Sequence, residues 1–323
     1  MSFFDGIEAQ ETALRILSQA VAGERVASAY LFEGPTGVGK QHTAIALAKR
    51  LLGADAATAR RIDEGAHPDV RVFLPREEGK RNIQVEQLRS EILPFTQYAP
   101  FEASAAFVIF PEADVSFPEN PPESTNALLK TLEEPRPGVH FVLLSERPDR
   151  LLPTIRSRCQ RVRFGRLPSA VLDRILAARG VDESARPAAI ALADGRADRA
   201  IALADGGASE LLERALELDE VVASGGPGAL VRAAEALARG DSLTSTLDAL
   251  VTFYRDVAAA ALGLPDASLA FRHHAPVIRE RAARLGAARA ADRVEAIDEA
   301  RLALERNANP EATLDALLYG ARR

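Results

Sequence analysis

The stretch GPTGVGK combines glycines and a lysine at a spacing that is typical of phosphate-binding loops. Backbone N–H groups of such a turn surround phosphate oxygens, the helix that follows adds positive potential, and the lysine reaches the outer phosphates. The candidate nucleotide-binding residues are Gly34, Gly37, Gly39 and Lys40. The next position, which carries Ser or Thr in a working loop of this type, is Gln41. The loop is therefore predicted to be degenerate.

A Mg²⁺ ion that would assist phosphoryl transfer lacks both of its usual protein ligands. Gln41 replaces the hydroxyl ligand, and its longer amide side chain reaches differently. The second ligand should be an aspartate at the end of a buried strand, but the run FVIF is followed by Pro111 and Glu112. Without the ion, hydrolysis is expected to be very slow. A mainly structural turn is favoured over active hydrolysis, and weak ATP binding without turnover lies between the two.

The single cysteine limits the metal and nucleophilic chemistry that the chain can perform. One thiol excludes a disulfide framework and any zinc site built on several thiolates. Cys159, in SRCQ, has no obvious local base and is interpreted as a buried structural thiol. His67 is interpreted as a turn residue before a strand, and the adjacent His273 and His274 are expected to diverge. We predict no metal site and no bound zinc.

Four charged residues lie close to predicted helix or loop ends. Glu133 and Glu134 precede a proline and are interpreted as a solvated helix end. Arg156 and Arg158 lie in PTIRSRC and are a solvated pair unless a phosphate lies nearby. A guanidinium suits a phosphate because it is always charged and can contact two oxygens at once.

Alternating strand and helix patterns must position these residues. Short apolar runs predict strands, and the third run is apolar throughout, which indicates burial on both faces. The predicted strands are Ser28–Gly34, Asp69–Pro75, Ala105–Asp114, His140–Glu146 and Cys159–Gly165. Helical spacing between them is found at Thr43–Gly53, Ile83–Leu93 and Ser124–Pro135. Strands separated by helices imply right-handed crossovers and a parallel α/β sheet.

The strand pattern ends near Gly165, and the rest of the chain is helical and rich in alanine. A chain of 323 residues is expected to form two or three domains. We predict an α/β domain at residues 1–165, a small helical domain at 166–208 and a larger all-helical domain at 209–323.

Composition excludes several classes of protein. Hydrophobic residues make up 47% of the chain and charged residues 27%, which is ordinary for a soluble globular protein. No apolar run approaches the roughly 20 residues that span a bilayer, and the start MSFFDGIEAQ lacks the pattern of a secretion signal. A cytoplasmic protein without a membrane partner is expected. The net charge of −6 argues against a free-standing nucleic-acid binder.

Three stretches together resemble the delta-prime subunits of bacterial DNA polymerase III clamp loaders, in the AAA+ superfamily. They are SAYLFEGPTGVGK, STNALLKTLEEPRPGVHFVLLSERPDRLLPTIRSRCQ and NANPEATLDALL. The middle stretch is the most specific, because TLEEP followed by TIRSRC is a clamp-loader signature. The likeness extends over almost the whole chain, although residues between Ser209 and Arg301 support it only by pattern.

The resemblance implies a fold and a role. Residues 1–165 would form the AAA+ P-loop domain, 166–208 a helical lid domain and 209–323 the collar domain that holds a ring of subunits together. Gln41 and Pro111 depart from the ATP-hydrolysing gamma/tau sisters, as does Asp198, which replaces their sensor-two arginine. These departures suit a delta-prime chain that need not hydrolyse ATP. Both sisters often carry a four-cysteine zinc module, which the short stretch before His67 lacks.

The resemblance also implies partners and a task for one arginine. Arg158 matches the clamp-loader arginine that faces the ATP of a neighbouring subunit, where it would act in trans as a catalytic arginine finger. The expected partners are gamma/tau and delta subunits, and the sliding clamp and primer-template DNA through the complex. As part of the DNA polymerase III holoenzyme the chain would belong to a DNA-directed DNA polymerase, a nucleotidyltransferase, without intrinsic activity. The rival interpretation is a gamma/tau-like subunit that itself hydrolyses ATP.

Overall fold

The computed structural model describes residues 4, 6–76, 82–117, 123–240 and 242–322, and the side chains of 123 and 124 are left aside. The chain divides into two compact units, Met1–Leu167 and Pro168–Arg323. The predicted segments Asp69–Pro75 and Ser124–Pro135 lie within the described ranges, whereas residues 1–3 and 5 lie outside them.

A five-stranded sheet forms the centre of the first unit. Its strands are β1 Ala29–Glu33, β2 Val70–Val72, β3 Ala106–Phe110, β4 Val139–Ser145 and β5 Gln160–Arg163. The strand order is β2-β3-β4-β1-β5, and all four neighbouring pairs run parallel. Glu33 at the end of β1 lies opposite Ser145 of β4 and Arg163 of β5. The carboxyl end of β1 is therefore enclosed by two neighbouring strands, a position where α/β sheets bind ligands.

Helices connect the strands of this unit. They are α1 Glu11–Ala22, α2 Lys40–Leu51, α3 Ala56–Asp63, α4 Val85–Gln87, α5 Leu93–Gln97, α6 Ala113–Ser116, α7 Glu123–Glu133 and α8 Pro153–Arg158. The predicted helix at Ile83–Leu93 is instead α4, a π-helical stretch Leu88–Ile92 and α5. Pro94 accounts for this break, since it lacks the N–H that a continuous α-helix would use.

The sheet carries the core of the first unit. β1 and β3 are buried at all five of their positions, as the continuous apolar runs predict. Phe110 of β3 packs edge-to-face on Phe117, with ring centroids 4.8 Å apart. β2 is an edge strand and is shorter than its predicted segment. The carboxylate of the flanking Asp69 binds a neighbouring loop, while its carbonyl accepts a hydrogen bond from Phe107 N–H of β3 at 2.7 Å.

The described part of the second unit is entirely helical. Its helices are α9 Ser169–Ala178, α10 Arg186–Leu192, α11 Ala197–Ala202, α12 Ala208–Ser224, α13 Pro227–Arg239, α14 Leu243–Ala261, α15 Ala275–Glu305 and α16 Pro310–Ala321. Gly286 interrupts α15 with a φ of +75°, which glycine adopts without steric cost. Within this unit α10 packs against both α12 and α14.

A buried carboxylate ties the helices of the second unit together. Asp219 of α12 is fully buried and accepts hydrogen bonds from the Tyr254 hydroxyl at 2.7 Å and from Arg293 Nη1 at 3.0 Å. Its other oxygen lies 2.6 Å from Arg281 Nε. Arg293 also donates to the Ala321 carbonyl at 2.9 Å. One acid therefore links α12, α14, α15 and α16.

The predicted fold class is confirmed: an α/β domain with a parallel sheet and a glycine-rich loop between β1 and α2 is followed by helical regions. Within the described ranges, no helix combines the length and the apolar character that crossing a membrane would require.

Candidate functional site

The glycine-rich loop joins β1 to α2, and its backbone requires glycine at three points. Gly34, Gly37 and Gly39 have φ angles of +145°, +70° and +96°. A Cβ on Gly34 would lie 2.3 Å from the carbonyl oxygen of Phe164, just after β5. Gly34 N–H donates to the Ser145 carbonyl at 3.1 Å. The loop is thus attached to β4 and closely approached by the end of β5.

Lys40 is the first residue of α2, and its side chain turns back onto the loop. Its Nζ donates to the carbonyls of Gly34 and Pro35, each at 2.5 Å. Lys40 is only 7% exposed. The ammonium group therefore binds the loop backbone, and it must rearrange to reach the outer phosphates of a nucleotide.

The positions that should hold Mg²⁺ offer no suitable pair of ligands. Gln41 is exposed in the first turn of α2. The Thr43 hydroxyl two residues later donates to the Gly39 carbonyl at 2.9 Å, so it is occupied by the helix backbone. Pro111 directly follows β3 and is followed by the exposed Glu112. The structure places Gln41 and Pro111 where the sequence pattern predicts, and the Thr43 hydroxyl in the same turn of α2 is directed at the helix backbone.

Two polar residues at this edge of the sheet escaped the sequence reasoning. Asp114 of α6 is 8% exposed, and its carboxylate accepts a hydrogen bond from Glu146 N–H at 3.3 Å. Ser145 ends β4, and its Oγ is buried without a hydrogen-bond partner among the described residues. The available signals were an acid inside PEADVSF and a serine that ends the apolar run FVLLS. Neither stands at a position of the phosphate-loop pattern.

Arg158 is the last residue of α8 and is held by two contacts. Its Nη1 donates to the Thr154 carbonyl at 2.9 Å, and its Nη2 donates to Glu133 Oε1 at 2.5 Å. The side chains of Arg158 and Glu133 are 33% and 47% exposed. Glu133 is exposed at the end of α7, as a solvated helix end predicts, and its carboxylate in addition pairs with Arg158 of α8.

Arg156 does not share the partner of Arg158. Its Nη1 lies 2.9 Å from Asp149 Oδ1, so the two arginines form separate ion pairs. Farther along, Arg161 of β5 contacts the buried Glu33 through Nε and, at 2.9 Å, through Nη2. The hydrogen bonds to Glu33 raise the pKa of Arg161. The expected solvated pair is replaced by a row of arginines with individual acidic partners.

The remaining candidate residues have surroundings that indicate structural and not catalytic roles. Cys159 is buried, and desolvation raises the pKa of its thiol to about 12, which suppresses the reactive thiolate. His67 lies directly before β2, as predicted, with Nε2 3.1 Å from Glu102 Oε1. Asp69 accepts backbone N–H groups of Phe101, Glu102 and Ala103. In the part of the chain that the structure describes, no group of three or more His, Cys, Asp or Glu residues is placed to hold a metal ion.

Asp198, which the resemblance predicts to stand in place of a sensor-two arginine, lies in the second unit. Asp198 occupies the first turn of α11 and pairs with Arg196, whose Nη2 lies 3.1 Å from Asp198 Oδ2. The neighbouring Arg199 pairs with Asp248 of α14 at 2.6 Å. His273 contacts the Ser184 carbonyl at 3.1 Å, which is a backbone contact and not part of a metal site.

Comparison with known proteins identifies relatives of the first unit. A family model described as DNA polymerase III, delta subunit, matches residues 9–168. DNA polymerase III subunit delta' of Bacillus subtilis is 34% identical over 178 residues, which cover 52% of this chain and 52% of that protein. The delta' subunit of Pseudomonas aeruginosa is 37% identical over 142 residues, or 41% and 42% of the two chains. The tau subunit of Escherichia coli is 36% identical over 165 residues, or 48% and 24%.

The matched region contains the loop, the sheet and the arginine of α8. The chain spans about half the length of the delta' relatives that it matches. Residues 9–168, which make up most of the first unit and contain its phosphate loop between β1 and α2, match that family model. In sequence the chain is thus similar to the delta' subunits of bacterial DNA polymerase III.

Proposed function

We propose that this chain is a largely non-hydrolysing AAA+ assembly subunit of a DNA polymerase III clamp loader. It would help to load a sliding clamp onto primed DNA and would supply Arg158 to ATP bound by a neighbouring subunit. The observation that carries this proposal is a contrast within one unit: the phosphate loop keeps its turn but has Gln41 and Pro111 at the metal positions, while Arg158 remains partly exposed at a helix end.

The absence of metal ligands at the two usual positions argues against hydrolysis by this chain. In phosphoryl transfer the metal neutralises charge on the transferring group, and without it the reaction is slow. Lys40 adds to this argument because its ammonium group is bound to the loop carbonyls. The glycines remain necessary for the turn itself, as the approach of Phe164 to Gly34 indicates. ATP binding, if it occurs at all, should be weak.

Arg158 is the best candidate for chemistry in trans. Its own domain lacks the ligands that would make a nearby nucleotide reactive, and its guanidinium is one-third exposed. A guanidinium has five N–H donors, of which the contacts to Thr154 and Glu133 use two. The remaining donors can contact phosphate oxygens of a partner's nucleotide. Arginine fingers contribute about 10³ to 10⁵ in rate in well-studied cases.

The proposed partners follow from the relatives. The names of the matched proteins are delta' and tau subunits of DNA polymerase III. We propose gamma/tau and delta subunits as neighbours in a ring, with residues 166–208 as the lid and 209–323 as the collar that joins the subunits. The clamp and primer-template DNA would be reached through this complex in the cytoplasm.

Reconstitution of the clamp loader tests the role of Arg158. Arg158→Ala should lower the DNA- and clamp-stimulated ATPase of the assembled ring by removing one of several sites, and Arg158→Lys should not restore it fully because lysine lacks the planar fork. Arg156→Ala is the matched control, because Arg156 lies on the same helix as Arg158 but pairs with Asp149, which precedes that helix. It should have the smaller effect. Unchanged ATPase and clamp loading with Arg158→Ala in an intact ring would refute the proposal.

The second candidate function is a gamma/tau-like ATPase, favoured by the 36% identity to the tau subunit of Escherichia coli. It requires Gln41 and Glu112 to replace the usual metal ligands. The purified chain, assayed alone with and without Mg²⁺, separates the two functions. Magnesium-dependent turnover that is lost with Lys40→Ala would favour the ATPase.

A further inference from the structure

The contact between Glu133 and Arg158 joins two parts of the chain that the sequence separates by 25 positions. Glu133 is the last residue of α7, within TLEEP, and Arg158 is the last residue of α8, within SRCQ. The two helices pack against each other, so their carboxyl-terminal ends lie side by side. The carboxylate of Glu133 on α7 therefore contacts the guanidinium of Arg158 on α8.

Stability alone does not explain this pair. Both side chains are partly exposed, and ion pairs of this kind typically contribute between about 0 and 1 kcal/mol. The side chain of Glu134, the next residue, is also exposed and makes no ion pair or hydrogen bond with the described residues, while its N–H donates to the Lys130 carbonyl at 3.2 Å. Of the two adjacent acids at this helix end, only Glu133 thus engages the arginine. Because only Glu133 contacts the arginine, we infer that its role is to orient the guanidinium of Arg158.

We propose that Glu133 is the positioning residue of Arg158, a proposal that rests on the function assigned to Arg158 above. Thr154 holds Nη1 and Glu133 holds Nη2, so two points fix the plane of the guanidinium. A guanidinium has three further N–H donors, among them Nε–H, which could contact a phosphate. Fixing the fork before the partner arrives reduces the entropy that is lost when it contacts the phosphoryl group.

The expected effect on the ATPase rate follows from the free energy that an exposed ion pair contributes. A loss of about 0.4 to 1 kcal/mol in positioning corresponds to about a two- to fivefold slower reaction at the site that Arg158 serves. If Arg158→Ala silences that site, Glu133→Ala should produce about half to four-fifths of the ATPase deficit caused by Arg158→Ala. The change should appear in kcat with little change in the KM for ATP, because the finger acts mainly in the transition state.

The test is a double-mutant cycle in the reconstituted clamp loader with ATP, clamp and primed DNA. The chains compared are wild type, Glu133→Ala, Arg158→Ala and the double variant, with Glu134→Ala as the matched control. We expect Glu134→Ala to behave as wild type and the double variant to be no slower than Arg158→Ala alone. Glu133→Gln, which keeps an acceptor oxygen without the charge, should lose less activity than Glu133→Ala.

Three results overturn the proposal in distinguishable ways. If Arg158→Ala lowers kcat but Glu133→Ala equals wild type or is faster, Glu133 does not position the arginine, and the function of Arg158 stands. If the losses of the single variants simply add in the double variant, Glu133 acts independently of Arg158. If Arg158→Ala itself has no effect, the proposed function and this inference both fail.

Discussion

Replacing Gly34 with alanine should destabilise the first unit more than replacing Gly39. Both glycines have positive φ angles, +145° and +96°, which a residue with a Cβ adopts only at a cost. The space around them differs. A Cβ at position 34 would lie 2.3 Å from the Phe164 carbonyl oxygen, whereas a Cβ at position 39 would meet nothing within 4 Å.

This difference in the space around the two glycines determines how much each substitution should lower the free energy of unfolding. Backbone strain at either position costs about 1–3 kcal/mol. At Gly34 the overlap with a backbone oxygen must also be relieved by moving β5 away from β1, and forced repacking of this kind costs about 1–3 kcal/mol. The free energy of unfolding should therefore fall by about 2–6 kcal/mol for Gly34→Ala and by about 1–3 kcal/mol for Gly39→Ala.

Urea unfolding followed by circular dichroism measures these changes, and hydrogen exchange locates them. The chain has no tryptophan, so fluorescence of that residue is not an option. Exchange of the amides of β5 should accelerate in Gly34→Ala, since Phe164 N–H donates to the Glu33 carbonyl at 2.7 Å beside the affected contact. Equal destabilisation by the two substitutions, or a larger effect of Gly39→Ala, would refute the idea that the sheet itself requires the first loop glycine.

Two further predictions concern stability. Burial raises the pKa of Cys159 from about 9 to about 12, so the folded state keeps the thiol protonated while the unfolded state ionises above pH 9; this stabilisation is complete below pH 9 and is lost as the pH rises toward 12. The stability advantage of wild type over Cys159→Ala in urea titrations should therefore shrink by about 1.4 kcal/mol between pH 8 and 10, and a constant difference would show that the thiol does not titrate in this way. In the second unit, Asp219→Asn should lower the free energy of unfolding by about 3–5 kcal/mol, because Arg281 and Arg293 lose their buried counter-ion. Glu220→Gln, at an exposed acid that also pairs with Arg281, should lower the free energy of unfolding far less, and similar effects of the two changes would contradict this assignment.

Local patterns in the sequence predicted the elements that surround the loop. The glycines and Lys40 fall between a strand and a helix because apolar runs and helical spacing report burial along a few neighbouring residues. The burial of Cys159 is confirmed, and it was predicted from the same kind of local pattern. Cys159 stands at the start of a predicted strand and has no local base that would indicate a nucleophile. The position of β1 between β4 and β5 was not predicted, because strand order depends on contacts between distant segments.

Long-range polar contacts account for what the sequence reasoning missed. From the sequence alone Glu133 is interpreted as a solvated acid before a proline, because its contact with Arg158 forms only when α7 and α8 pack together. Asp69 likewise lies in a predicted strand, yet its carboxylate holds a loop more than thirty residues away. Asp219 gathers three partners from two other helices, α14 and α15, and no spacing rule within one helix indicates that arrangement. The domain boundary proposed at residues 208 and 209 stays a prediction.

The most direct test of the account compares two substitutions in the same reconstituted clamp loader. Steady-state ATPase is measured in the presence of clamp and primed DNA with this chain as wild type, Arg158→Ala or Lys40→Ala, after ring assembly has been verified for each. The account predicts that Arg158→Ala lowers the rate, because a neighbour's site loses its finger, and that Lys40→Ala leaves it nearly unchanged, because this chain's own loop does not turn over ATP. A clear loss with Lys40→Ala and none with Arg158→Ala would contradict the account and identify the chain as an ATPase.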